Sequence, residues 1–454
     1  MPTSPPEIRS LSWFATFAVI LALAGSGAML YYHVGLFLPR MLAARAASGL
    51  GNGYSFGDDV YPVWLTTREW RAGHQDLYSG EMTRKIQTGL FGRPLNPSNP
   101  EDPPTDYRQF AYPAFTDLLL WPAELVDFPL LRLLLVVALP ALTIASLRLW
   151  LLAVGWDFWD YRFGILAVLT LSSYQLLEAF FAEQPGLLVG FFLAGGMLAL
   201  RRDRLALAGV LLSLTLIKPQ MTLLAAAYLM LWSLSHPSRR RLAIGFLASC
   251  AVLMAASLWI WPGWFGEWLA ILFGYHRYAM PPLVSVLLGE SLSASAGKVL
   301  IGALIVAGGI FAWKNRRTDA GSPDFWLTLS LLLAITSVTL LPGQAIYDDI
   351  ILIPGILIVW RDWRKLWAAG RIVRILLVLG CVAVFWQYAA ACGLLLVQPL
   401  LAAATFDSRA VFSLPIRTAA SSPFAVLALL VCLARINGGK TISARISAGP
   451  QESA

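Results

Sequence analysis

The chain has 454 residues, 58% of them hydrophobic and 13% charged, with a formal net charge of +8. A soluble domain carries about 25% charged residues, so this composition points away from one and toward a polytopic membrane protein. The basic excess does not imply nucleic acid: Lys and Arg in cytoplasmic loops account for it, and no basic stripe with interleaved aromatics lies outside the loops.

Apolar runs close to the roughly 20 residues that cross a bilayer recur along the whole chain. The first, from Trp13 to Tyr31, is too long for a signal-peptide core and reads as a retained span. Further spans are expected at 129–153, 163–180, 186–200, 204–217, 219–234, 242–261, 297–313, 325–341, 345–360, 372–396 and 421–436. The expected fold is an all-α membrane bundle of about 10–12 transmembrane helices, several of them short enough for re-entrant or half-length segments. Residues 1–436 read as one membrane domain, and 437–454 as a polar cytoplasmic tail without fixed structure.

Basic clusters set the expected orientation. With the N-terminus inside, the clusters at Arg201–Arg204, Arg239–Arg241, Lys314–Arg317 and Arg361–Lys365 all fall inside. The segment 32–115, Lys218 and the turn around Asp348 then fall outside. That first outer loop is far longer than a usual connection, which marks it as functional. The stretch from Tyr61 to Trp70 reads as an interfacial amphipathic helix. The stretch from Gly92 to Tyr107, rich in Pro and Asn, reads as irregular.

Carboxylates are expensive near a bilayer, so the pair Asp58-Asp59 at the start of this loop stands out. One reading is a helix cap with a first-turn acid. The other is a general base that takes a proton from an acceptor hydroxyl, with Tyr61 close by. Further along, Tyr112 lies in Phe110-Ala111-Tyr112-Pro113, an aromatic anchor or a substrate contact. Glu183 and Gln184 end an apolar helix as solvated loop groups or as partners for sugar hydroxyls.

Lys218, before Pro219, sits where one apolar run ends and another begins, against the positive-inside trend. A fixed ammonium at a helix break suits a lipid phosphate; a snorkelling lysine is the plainer reading. His276 and Arg277 follow a Trp-rich segment and fit either an interfacial belt or phosphate binding. Asp348 and Asp349 follow Tyr347 at a tight turn, where turn chemistry and a substrate role both fit. The four cysteines lie inside apolar runs without metal spacing, and no P-loop or βαβ pattern is present. No metal or other cofactor is expected.

The ordered series Gly57-Asp58-Asp59-Val60-Tyr61-Pro62-Val63-Trp64, Ala72-Gly73, Asp76-Leu77-Tyr78, Phe110-Ala111-Tyr112-Pro113, Gln184 and Ile217-Lys218-Pro219 resembles glycosyltransferase family 87. The resemblance covers roughly residues 50–225. It implies a GT-C fold and a donor sugar β-linked to a polyprenyl monophosphate. It also implies inversion at the anomeric carbon, no obligatory metal, and relatives that include α-1,2-mannosyltransferases. The family's acidic residue falls best on Asp59, with Asp58 as a near match, and its Lys-Pro on Lys218-Pro219. Glu183 stands where a glycine is more usual in that pattern.

The expected function is therefore transfer of a hexose, mannose by resemblance, from a polyprenyl-phosphate donor to a lipid or glycan hydroxyl on the outer face of the cell membrane. A secondary transporter or lipid flippase without chemistry is the rival. No internal repeat of the kind common in transporters is evident.

Overall fold

The computed structural model describes residues 12–50, 59–73, 76–100, 102–274, 279–289, 294–343, 345–406 and 408–447. Its regular elements there are helices, apart from one isolated bridge between Pro282 and Pro342. Among the described residues, six helices are long and apolar enough to cross a membrane: Trp13–Ala47, Phe128–Ala153, Pro237–Ile260, Ser295–Asn315, Arg371–Leu400 and Leu414–Gly438. Tyr161–Leu171 and Tyr174–Phe181 form a further span broken by a 59° bend. Five shorter apolar helices complete the bundle. The protein is an all-α polytopic membrane protein.

The elements used below are α1 (Val60–Gly73), α2 (Gly80–Phe91), α3 (Phe128–Ala153), α4 (Tyr174–Phe181), α5 (Gly186–Arg201), α6 (Leu205–Leu214), α7 (Leu223–Leu234), α8 (Arg240–Ile260), α9 (Pro323–Thr339), α10 (Ile353–Arg361) and α11 (Ser422–Ser447). Helices α3, α5, α6 and α8 pack side by side in a row. Where α6 meets α8 the backbones touch: a Cβ on Gly209 would strike the Leu242 carbonyl, and one on Gly245 the Ala206 carbonyl. Small residues permit such approach where lipid supplies little drive for helices to associate.

Helix α9 is the centre of the other half, flanked by α7, α10 and α11. It is buried at every position from Phe325 to Thr339, as a helix apolar all round must be. Two of its threonine hydroxyls bond within the helix, Thr336 donating to the Leu332 carbonyl at 2.9 Å and Thr339 to that of Ile335 at 2.6 Å, while Ser337 donates out of it to Asp349. Ser322 caps its start by accepting from the Phe325 N–H at 3.2 Å. On the outside, α3 exposes Leu133 and Val137, the apolar face that a lipid contact requires.

Four expectations need correction. The first span does not end at Tyr31: it continues through a π-helical segment, Tyr31–Phe37, into a helix that reaches Ala47. The wider bonding falls just before Pro39, whose missing N–H would interrupt an α-helical ladder. The run at 345–360 is a 3₁₀ segment, Ile346–Leu352, followed by the nine-residue α10, not one long helix. The C-terminal helix runs on to Ser447, past the expected start of an unstructured tail. Finally, α1 forms as expected, but its residues from Val60 to Thr67 are all buried, with Tyr61 and Trp64 packed on Phe128 at 4.8 and 5.3 Å. The described residues between Gly92 and Tyr107 are irregular, as their composition predicts.

The bundle has two chemically different ends. At one, Asp203, Arg239, Arg241 and Asp319 line a cavity of about 720 Å³, and Arg361 closes α10. Helices α6, α7, α9 and α10 each run from that basic end to the other, where Lys218, Leu223, Leu340 and Asp348 lie.

Candidate active site

Lys218 is placed by its proline. The residue before a proline is pushed out of the helical region, and Lys218 adopts φ −131° and ψ 78° between two 3₁₀ turns, Thr215–Ile217 and Pro219–Met221. A hydroxyl pair, Thr215 with Thr222 at 2.9 Å, bridges the break. The Lys218 ammonium donates to both Asp348 oxygens at 2.8 Å and to Gln184 Oε1 at 3.0 Å. It also lies 5.3 Å from the centre of the Tyr347 ring.

Gln184 reaches this lysine from a tight turn after α4. Gln184 N–H donates to the Ala179 carbonyl at 2.9 Å, and Glu183 takes a left-handed φ of 51°, the role glycine usually fills. Asp348 can approach because Gly186 follows: a Cβ there would run into Asp348 Oδ1.

Asp59 is tied to the same turn, its N–H donating to the Ala182 carbonyl at 3.2 Å. Its side chain is held by Arg108, whose Nη1 donates to Asp59 Oδ1 at 2.6 Å. Arg108 too has a left-handed backbone, φ 66°. Among the described residues only three non-glycines do, and two of them flank this site.

One cavity of about 440 Å³ is lined by Asp59, Arg108, Tyr112, Lys218, Trp268, Tyr347 and Asp348, with Pro62, Ile217, Leu223, Leu272 and Leu340 among its apolar walls. Of the residues expected from sequence, it brings together Asp59, Tyr112, Lys218 and Asp348. Gln184 is fully buried and meets it only through Lys218.

The others lie elsewhere. Glu183 faces Arg132, 3.4 Å away, and lines a separate small apolar cavity. Tyr61 packs over Gly89 and against Phe128, because one residue along a helix turns a side chain by about 100°. Asp349 turns inward and accepts from Ser337 at 2.6 Å. Asp58, His276 and Arg277 lie outside the described residues.

Sequence reasoning missed Arg108, Trp268 and Tyr347. Arg108 carried a usable signal: it is a basic residue on the side where Lys218 was already conspicuous, two positions before Phe110-Ala111-Tyr112-Pro113. Trp268 gave none, since its indole N–H donates to Ala111 across a long sequence separation, at 3.0 Å.

Two carboxylates and two cations around a partly apolar cavity at one end of a membrane bundle belong with the class of membrane-embedded transferases. Residues 110–342, just over half of the chain, match the model of glycosyltransferase family 87, and the chain belongs to that family. It is a membrane glycosyltransferase. The match starts at Phe110, so it covers Tyr112, Gln184 and Lys218 and lies further along the chain than the 50–225 expected from motifs. No curated protein and no solved structure matches the chain.

Proposed function

We propose that the protein moves a hexose, mannose in the first instance, from a polyprenyl-phosphate donor to a hydroxyl of a lipid or glycan acceptor. Family membership removes the support for the rival transporter reading. The observation that carries the proposal is that Asp59 and Lys218, from distant parts of the chain, line one cavity.

In this mechanism the acceptor oxygen attacks the anomeric carbon as Asp59 takes its proton. The bond from that carbon to the phosphate oxygen breaks, and the phosphate leaves with the electron pair. Lys218 supplies positive charge where this anion forms. Attack opposite the leaving group inverts the anomeric carbon. The apolar walls suit the isoprenoid chain, and Tyr112 and Trp268 offer faces for a sugar ring. The site lies at the end away from the basic clusters, so the positive-inside trend puts it on the extracytoplasmic side of the cell membrane with the N-terminus inside.

The test is transfer from labelled polyprenyl-phosphate mannose by purified Asp59→Asn, Asp58→Asn and the double variant. Loss of transfer in Asp59→Asn with donor binding retained is the expected result. Full activity in all three variants would end the general-base assignment.

A further inference from the structure

The two cations of the cavity are not equivalent. All three ammonium protons of Lys218 have acceptors in Asp348 and Gln184, and the Lys218 and Asp348 side chains are 9% and 1% exposed. The Arg108 and Asp59 side chains are 20% and 17% exposed, joined through Arg108 Nη1 and Asp59 Oδ1. An anion that enters the cavity therefore meets a buried, fully engaged lysine and a wetter guanidinium.

The chain around Arg108 is built to hold it there. Gln87 on α2 donates to the carbonyls of Thr105 and Tyr107, both at 2.9 Å, and accepts from the Leu95 N–H at 3.0 Å. Arg93 clamps Asp102 with a two-pronged contact of 2.6 and 2.7 Å. Tyr107 stacks on Phe91 at 6.3 Å and 8°, and the Arg108 guanidinium lies 5.1 Å from the Tyr107 ring centre. With the next residue in place, the strained φ at Arg108 directs its side chain into the cavity rather than leaving it to solvent.

We propose that Arg108 is the exchangeable cation of the site. Without donor it neutralises Asp59; when the donor arrives, it turns to the donor phosphate and gives up its contact with Asp59, whose carboxylate then accepts a proton. Donor binding thereby switches on the base, and without donor the base stays engaged with Arg108. A guanidinium suits this exchange because its planar fork matches carboxylate and phosphate oxygens alike. The inference rests on the polyprenyl-phosphate donor proposed above.

Among the described residues, the charged and titratable groups around Asp59 include Arg108, Lys218 and Asp348 in the cavity, with Tyr107, Tyr112 and Tyr347, and the Glu183–Arg132 pair beyond Ala182. A cation beside a carboxylate favours its charged form. Removal of Arg108 thus moves the acidic limb of the kcat/KM profile, which reports the free enzyme, to higher pH, while exchange leaves the limb of kcat, which reports the donor complex, in place; a permanent Asp59–Arg108 pair would shift both.

The experiment compares full-length wild type, Arg108→Gln and Arg108→Lys in lipid nanodiscs. It measures binding of sugar-free polyprenyl phosphate, donor KM, kcat and the pH profile. The expected result is donor affinity and KM worse by about tenfold or more in Arg108→Gln, an acidic limb shifted upward, and partial recovery in Arg108→Lys. Wild type that binds no polyprenyl phosphate would overturn the donor reading itself. Wild type that binds it, with Arg108→Gln equal in affinity and pH profile, would overturn the role of Arg108 alone. Should Arg108→Gln fail to fold, Arg108→Lys decides: wild-type affinity and pH profile contradict the exchange, because an ammonium cannot reproduce the fork.

Discussion

Two ion pairs stand around the same cavity, and they differ in nearly every respect. Lys218–Asp348 is dry, joins residues 130 positions apart, and uses every proton the ammonium has. Asp59–Arg108 is wetter, with side chains 17% and 20% exposed, and its two partners lie on one long segment between spans, 49 positions apart. The first joins the α6–α7 break to the turn before α10, so it is architecture as much as chemistry. The second can be exchanged. The lesson is that the same charges can serve to fix a site or to run it, and burial decides which.

The largest effect should come from cutting the dry pair. Lys218→Ala leaves Asp348 buried and uncompensated, a loss of about 3–5 kcal/mol, seen as a steep fall in thermal midpoint together with lost transfer. Lys218→Met with Asp348→Asn should restore much of the stability and none of the activity. If the double variant is no more stable than Lys218→Ala, the pair is not the strut described.

Asp59→Asn sharpens the contrast. It should lower kcat by about 10²–10⁴-fold while costing less stability than Lys218→Ala, because both partners of this pair are wetter. An equally large loss of stability would make the two pairs alike. Gly186→Ala should come next: its Cβ meets Asp348 Oδ1, and over-packing of this kind costs about 1–3 kcal/mol, with a fall in kcat and little change in the acidic limb.

The smallest effect belongs to the loop clamp. The Arg93 guanidinium, with help from the Asn96 N–H, holds the Asp102 carboxyl down at about 2. A carboxyl lowered on folding stabilises above its ordinary range, and the contribution fades as pH falls from about 4 toward 2. Asp102→Asn should change transfer by less than about threefold while speeding protease cleavage between 93 and 109. Unchanged cleavage would show the clamp to be idle.

These contrasts also explain what could be read from the sequence. The spans were legible because lipid leaves a helix few alternatives; the π-helical passage at Tyr31–Phe37 was not, since an apolar run followed by Pro39 looks like an ending. Lys218 was visible because a proline break and a misplaced charge coincide there. Its partnership with Asp348 was not, because nothing local links residues so far apart. Tyr61 was drawn to the site by adjacency alone, and helical rotation takes it to another face.

The most direct measurement is an experimental structure of Asp59→Asn with polyprenyl-phosphate mannose bound in a nanodisc. The account predicts the phosphate within hydrogen-bond distance of Arg108 or Lys218, and the face of the anomeric carbon opposite the phosphate open toward residue 59. A donor phosphate seated outside this cavity, or a sugar whose open face points away from residue 59, would contradict it.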